Sequence, residues 1–125
     1  MLKIKIFCFD LDNVICNTKK NYYKTSKPNI KSIKLINNLY DNGHIIKIFT
    51  ARFMWRSKEN INLAKKKGYK FTYDQLKKWN VKFHKLIFGK PSFDIFIDDK
   101  ALFFKKNWQY HIKKKFLKKN PIKIF

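Results

Sequence analysis

FCFDLDNVIC, residues 7–16, closes an apolar run on two aspartates, Asp10 and Asp12, one residue apart. The chain has eight acidic residues against thirty basic ones, so two carboxylates at the end of a buried run need a cause. Residues 3–9, KIKIFCF, mix β-branched and aromatic side chains and predict a buried strand that stops at Asp10.

Outward from that strand, residues 17–29 are polar, end in SKPN and predict a loop or small flap. From Ile30 the apolar positions Ile33, Ile36, Leu39 and Tyr40 recur at helical spacing, and Gly43 stands just past the expected helix end. HIIKIFT, 44–50, predicts a second strand ending at Thr50. SKENINLAKKKG, 57–68, predicts a helix with Ser57 as N-cap and Gly68 as its stop. TYDQLKKWN, 72–80, predicts another, with Thr72 and Gln75 in capping-box register. FHKLIF, 83–88, and FDIFID, 93–98, predict a third and a fourth strand. This order implies an α/β, Rossmann-like, mainly parallel sheet flanked by helices. One domain is expected over residues 1–104. Residues 105–125 carry eight lysines interleaved with Trp108, Tyr110, Ile112, Phe116 and Leu117. They predict a basic C-terminal helical tail, part of the same domain or docking on it.

Composition narrows the function classes. At 125 residues, 45% hydrophobic and 18% aromatic, the chain is expected to be one folded domain rather than disordered. It has no run of about 18 apolar residues to span a membrane, and its N-terminus lacks the pattern of a signal peptide. Cys8 and Cys16 make no disulfide framework and read as reduced thiols of a cytoplasmic protein. The formal charge of +22 comes almost wholly from lysine, with only Arg52 and Arg56 as arginines. Base readers and phosphate clamps favour arginine. An AT-rich coding bias is therefore preferred to nucleic-acid binding as the origin of the charge.

The polar residues fall at one edge. Asp10 and Asp12 follow the first expected strand, Thr50 the second, Lys90 the third, and Asp98 and Asp99 the fourth. Open parallel sheets bind ligands outside the carboxyl ends of their strands. Clustered carboxylates suit Mg²⁺, one aspartate can attack phosphorus, and a neighbouring carboxyl can move the proton. Thr50 and Lys90 can hold phosphate oxygens as charge develops. The chemistry such a set supports is phosphoryl transfer.

DLDNVIC, IFTAR, GKP and DIFIDDK resemble, in order, the four motifs of the haloacid dehalogenase superfamily of phosphatases. The resemblance covers residues 4 to about 104. It implies that Asp10 is the nucleophile and a metal ligand, and that Asp12 is the general acid/base and offers its backbone carbonyl to Mg²⁺. It further implies that Thr50 and Lys90 bind phosphate, that Asp98 is a metal ligand and that Asp99 supports it. Asn13 and Ile15 stand where the family's first motif has Gly and Thr, and Asn tolerates unusual backbone angles. The gaps between motifs are too short for a large cap domain. Residues 72–101 are similar to small capless phosphatases of capsule and lipopolysaccharide sugar pathways, which implies a sugar or polyol phosphate as substrate.

Competing readings stand beside these. Arg52 either touches substrate or caps the following helix, Asp94 is structural because it begins a strand, and His44 and His84 are structural. Phe53, Met54 and Trp55 are core or rim. A phosphatase of nucleic-acid ends using the basic surface, a non-catalytic binding protein and an oligomer are the alternatives at the level of the whole chain.

Overall fold

The computed structural model describes residues 3–117. The chain runs β1 (Ile6–Asp10), β2 (Cys16–Asn17), β3 (Lys27–Pro28), α1 (Ile30–Asp41), β4 (Ile45–Thr50), α2 (Ile61–Lys78), β5 (Lys85–Phe88) and α3 (Trp108–Phe116). β1, β4 and β5 form a parallel sheet in the order β1-β4-β5. β2 and β3 pair antiparallel as the small flap expected over 17–29. Among the described residues there is no large cap. The α/β, Rossmann-like class is therefore the one read from the sequence.

Register explains the core. Phe7 lies beside Ile46, Phe9 beside Ile48, Ile48 beside Leu86, and Thr50 beside Phe88. These residues therefore share one face of the sheet. On that face Phe9 meets Trp108, Phe7 meets Phe116, and Phe88 meets Tyr69. α3 thus docks on the domain, with Trp108, Ile112 and Leu117 buried. The tail beyond Leu117 lies outside the described residues. His44 secures this packing: Nδ1 accepts the Lys5 N–H at 3.0 Å and Nε2 reaches the Phe116 carbonyl at 3.1 Å. Its structural reading holds. So does that of His84, whose Nδ1 accepts the Ile46 N–H.

α1 begins at Asn29, whose Oδ1 accepts the Ser32 N–H at 3.1 Å, and ends ahead of Gly43 at φ +92°. This matches the expected helix. The next two expected helices are instead one. α2 passes through Gly68 without a break, Asn60 rather than Ser57 caps it, and Thr72 and Gln75 lie in its interior. The reason is packing. A Cβ on Gly68 would stand 2.2 Å from two Phe53 ring carbons, so this glycine admits the ring rather than ending the helix. Elsewhere in a helix Gly→Ala stabilises by up to about 1 kcal/mol. Here Gly68→Ala is expected to cost about 1–3 kcal/mol, read as a lowered urea midpoint at unchanged slope. A raised midpoint would refute the packing role.

The expected fourth strand does not form. Residues 93–98 are irregular and exposed, Ile95 at 79% and Ile97 at 92%. Phe93 and Phe96 stack with ring centroids 4.9 Å apart. Side chains three apart point to opposite faces of a strand, so that contact requires a curled chain. Among the described residues nothing pairs with the outer edge of β1.

Candidate active site

Asp10 closes β1, Thr50 closes β4, and Lys90 follows β5 by two residues. Adjacent parallel strands thereby bring three of the expected groups to one edge. The Lys90 N–H donates to the Thr50 carbonyl at 3.2 Å, which binds the loop after β5 to the end of β4. Gly89 makes the turn at φ +105°, against the Ile61 side chain. Lys90 Nζ then lies 3.5 Å from Asp10 Oδ1 and over the faces of Phe93 and Phe96, at 5.4 and 5.2 Å. An ammonium held by a carboxylate and two rings is confined in direction.

Asp10 Oδ1 also accepts the Leu11 N–H at 2.9 Å. Burial pushes the Asp10 carboxyl above the ordinary carboxylate range, and the Lys90 charge opposes that rise. After Asp10 the chain turns sharply. Asn13 sits at φ +67°, its N–H donates to the Cys16 carbonyl at 2.6 Å, and its Oδ1 accepts the Thr18 N–H at 3.1 Å. Asn13 therefore takes a left-handed turn, one of the unusual backbone angles that Asn tolerates.

Asp12 is held by a buried ion pair. Arg52, 1% exposed, donates from Nη2 to Oδ1 at 2.9 Å and from Nε to Oδ1 and Oδ2 at 3.2 and 3.0 Å. Its Nη1 donates to Gln75 Oε1 at 2.7 Å, and its guanidinium carbon lies 4.8 Å from the Tyr23 ring centroid. Gln75 in turn donates to the Tyr23 carbonyl at 2.8 Å. Thr18 Oγ1 donates to Asp12 Oδ1 at 2.6 Å and meets Ser26 Oγ. Arg52 thus neither caps a helix nor faces outward. It joins the turn after β1, the flap and α2. Oδ1 of Asp12 takes most of these bonds, and Oδ2 is the freer oxygen.

Thr50 is fully buried and its Oγ1 accepts the Arg52 N–H at 3.1 Å. The Cys16 thiol, raised by burial, lies beside this network as a neutral neighbour. Cys8 is exposed and unbonded, so the two thiols are separate.

Asp98 and Asp99 do not join Asp10 and Asp12. Asp98 Oδ1 accepts the Lys100 N–H at 2.8 Å in a local turn, and both residues are exposed. Asp94 is exposed as well. With the fourth strand unformed, nothing carries these carboxylates to the edge. Among the described residues no set of three or more His, Cys, Asp or Glu is placed to hold a metal. Among the described residues the Asp98 carboxylate thus stands apart from Asp10 and from Asp12, whose expected Mg²⁺ ligand is its backbone carbonyl rather than the carboxylate that Arg52 and Thr18 engage.

Sequence reading missed Thr18, Tyr23, Ser26 and Gln75 as parts of the site. Gln75 carried a signal, since Thr72 and Gln75 lie one helical turn apart and both reach Arg52. Trp55, expected as core or rim, is exposed, whereas Met54 is buried. No helix among the described residues is long and apolar enough to cross a membrane.

No family model matches the chain, and no curated protein matches it. A crystal structure of a structural-genomics target from Vibrio cholerae has a TM-score of 0.74 at 21% identity, over 90% of this chain and 98% of that one. At that identity the likeness is one of fold.

Proposed function

We propose that the chain is a phosphomonoesterase of the haloacid dehalogenase type, acting on a small phosphorylated metabolite, a sugar or polyol phosphate by the sequence resemblance. One observation supports this above all others: Asp10 at the end of the middle-facing edge strand lies against the Lys90 ammonium, while Asp12, two residues on, is fixed by Arg52. A nucleophile beside a phosphate-binding cation, with a second carboxyl held next to it, is what stepwise phosphoryl transfer needs.

In this reading an Asp10 oxygen attacks phosphorus as the ester P–O bond breaks, giving an aspartyl-phosphate. The leaving oxygen takes a proton through Asp12, which must gain that proton on Oδ2 against its pairing with Arg52. Water then attacks the phosphorus as the bond from Asp10 to phosphorus breaks, Asp12 takes a proton from that water, and phosphate departs with the Asp10 carboxylate restored. Lys90 holds the charge that grows on the phosphoryl oxygens; the Thr50 hydroxyl, buried and accepting the Arg52 N–H, would have to be uncovered to join it. Asp10, the Asp12 backbone carbonyl and Asp98 would be the groups to hold Mg²⁺, which would offset the charge between carboxylate and phosphate; no step here is routed through it. The Mg²⁺ requirement implied by the resemblance is a separate arm of the test.

The test is phosphate release from a panel of sugar phosphates, polyol phosphates, nucleotides and 3′- or 5′-phosphorylated oligonucleotides, with Mg²⁺ and with EDTA. Turnover of the small esters is expected. Preference for oligonucleotide ends would move the reading to nucleic-acid repair chemistry. Silence across the panel in both conditions would defeat the phosphatase reading.

A further inference from the structure

We propose that the groove between α2 and β5 is a platform for single-stranded nucleic acid. The groove encloses about 350 Å³ and is lined by Lys65, Tyr69, Tyr73, Phe83, His84 and Lys85. None of these residues belongs to the site at the strand ends, so the inference does not rest on the phosphatase reading.

Lysine alone would carry no such inference, because a chain of +22 has lysines on every side. The aromatic rings single out this surface. Tyr69 and Tyr73 stand one turn apart on α2, their rings nearly parallel at 20° with centroids 6.2 Å apart. Phe83 meets Tyr73 edge-on at 5.6 Å. Lysines are interleaved with these rings: Lys65 Nζ lies 6.0 Å from the Tyr69 centroid, and Lys77 Nζ lies 5.7 and 5.9 Å from those of Tyr73 and Phe83. The acid closest in sequence, Asp74, is already paired with Lys70 at 2.8 Å.

Stepped flat rings between fixed positive charges match a ligand that alternates phosphates with flat bases. Bases stack on aromatic side chains without regard to sequence, while the phosphates displace counterions at the lysines. An acidic peptide would satisfy the charges and leave the rings unused. A duplex hides its base faces. Tyr69 packs inward on Phe88, so Tyr73, 36% exposed, is the ring most open to a base.

The experiment uses the full chain and a fluorescein-labelled oligo-dT of about 12 nucleotides, with anisotropy read across a salt series. Tyr73→Ala, which leaves the charge untouched, is expected to weaken binding about fivefold or more at every salt concentration, with the salt slope unchanged. Tyr73→Phe is expected to bind like the unsubstituted chain. Lys65→Gln with Lys85→Gln is expected to flatten the salt slope. The proposal is overturned if Tyr73→Ala, folded by its melting curve, binds as tightly as the unsubstituted chain, or if the unsubstituted chain does not bind at low salt. Should Tyr73→Ala fail to fold, Tyr73→Leu applies the same criterion.

Discussion

Asp10→Asn is expected to lower phosphate release at least about a thousandfold on the best ester of the panel, since it removes the attacking oxygen. Its value lies in what it leaves intact. Partial burial raises the Asp10 carboxyl above its ordinary range while Lys90 opposes the rise, so the fold favours the neutral form more than the unfolded chain does. Stability from that preference is present at low pH and is lost as pH rises through the folded value. A neutral asparagine has no such dependence, so the variant is expected to be at least as stable as the parent at neutral pH. Activity and stability should thus move apart. Full activity in Asp10→Asn would remove Asp10 from the chemistry, and joint loss of activity and fold would make it a structural residue.

Arg52→Ala carries the second large effect, and here fold and activity are expected to fall together. The side chain is wholly buried and its partner Asp12 is mostly so. Removing one member of a buried pair strands the other charge, at a cost of about 3–5 kcal/mol. Thr72, Gln75 and Ser26 lose a shared partner as well. Arg52→Lys is not expected to rescue, because one ammonium cannot span Asp12 and Gln75 as the planar fork does. Denaturant unfolding of Arg52→Ala, Asp12→Ala and the double variant measures the pair directly. A double variant destabilised by less than the sum of the singles is expected. Strict additivity would show that the pair contributes nothing beyond its separate residues.

Much of this site was legible because strand ends are marked locally. An apolar run that stops on Asp10, or on Thr50, announces both the strand and the group it delivers. Asn13 was legible too, since few residues accept a left-handed turn. The Arg52–Asp12 pair was not. Its members come from separate strands, and Thr72 and Gln75, which help hold Arg52, show a three-residue spacing that also spells a helix start. Local pattern could not choose between a cap and one turn of an interior face. Gly68 was misread for a similar reason: a glycine after three lysines looks like a stop until Phe53 is seen against it. The 93–98 stretch shows a further limit. Its alternation specifies two faces but not a neighbouring strand, and the Phe93–Phe96 stack on Lys90 takes the chain elsewhere.

The outer edge of β1, which nothing among the described residues pairs, gives the surplus of lysine a consequence of its own. A bare strand edge is a template on which another chain can add, and Ile4 and Ile6 lie exposed beside it. At low ionic strength, molecules of +22 repel one another before their edges can meet. Salt near 1 M shortens that repulsion to about 3 Å. The lysines therefore act as a colloidal guard over an edge that the described residues leave open, and that guard lapses as the medium becomes more saline.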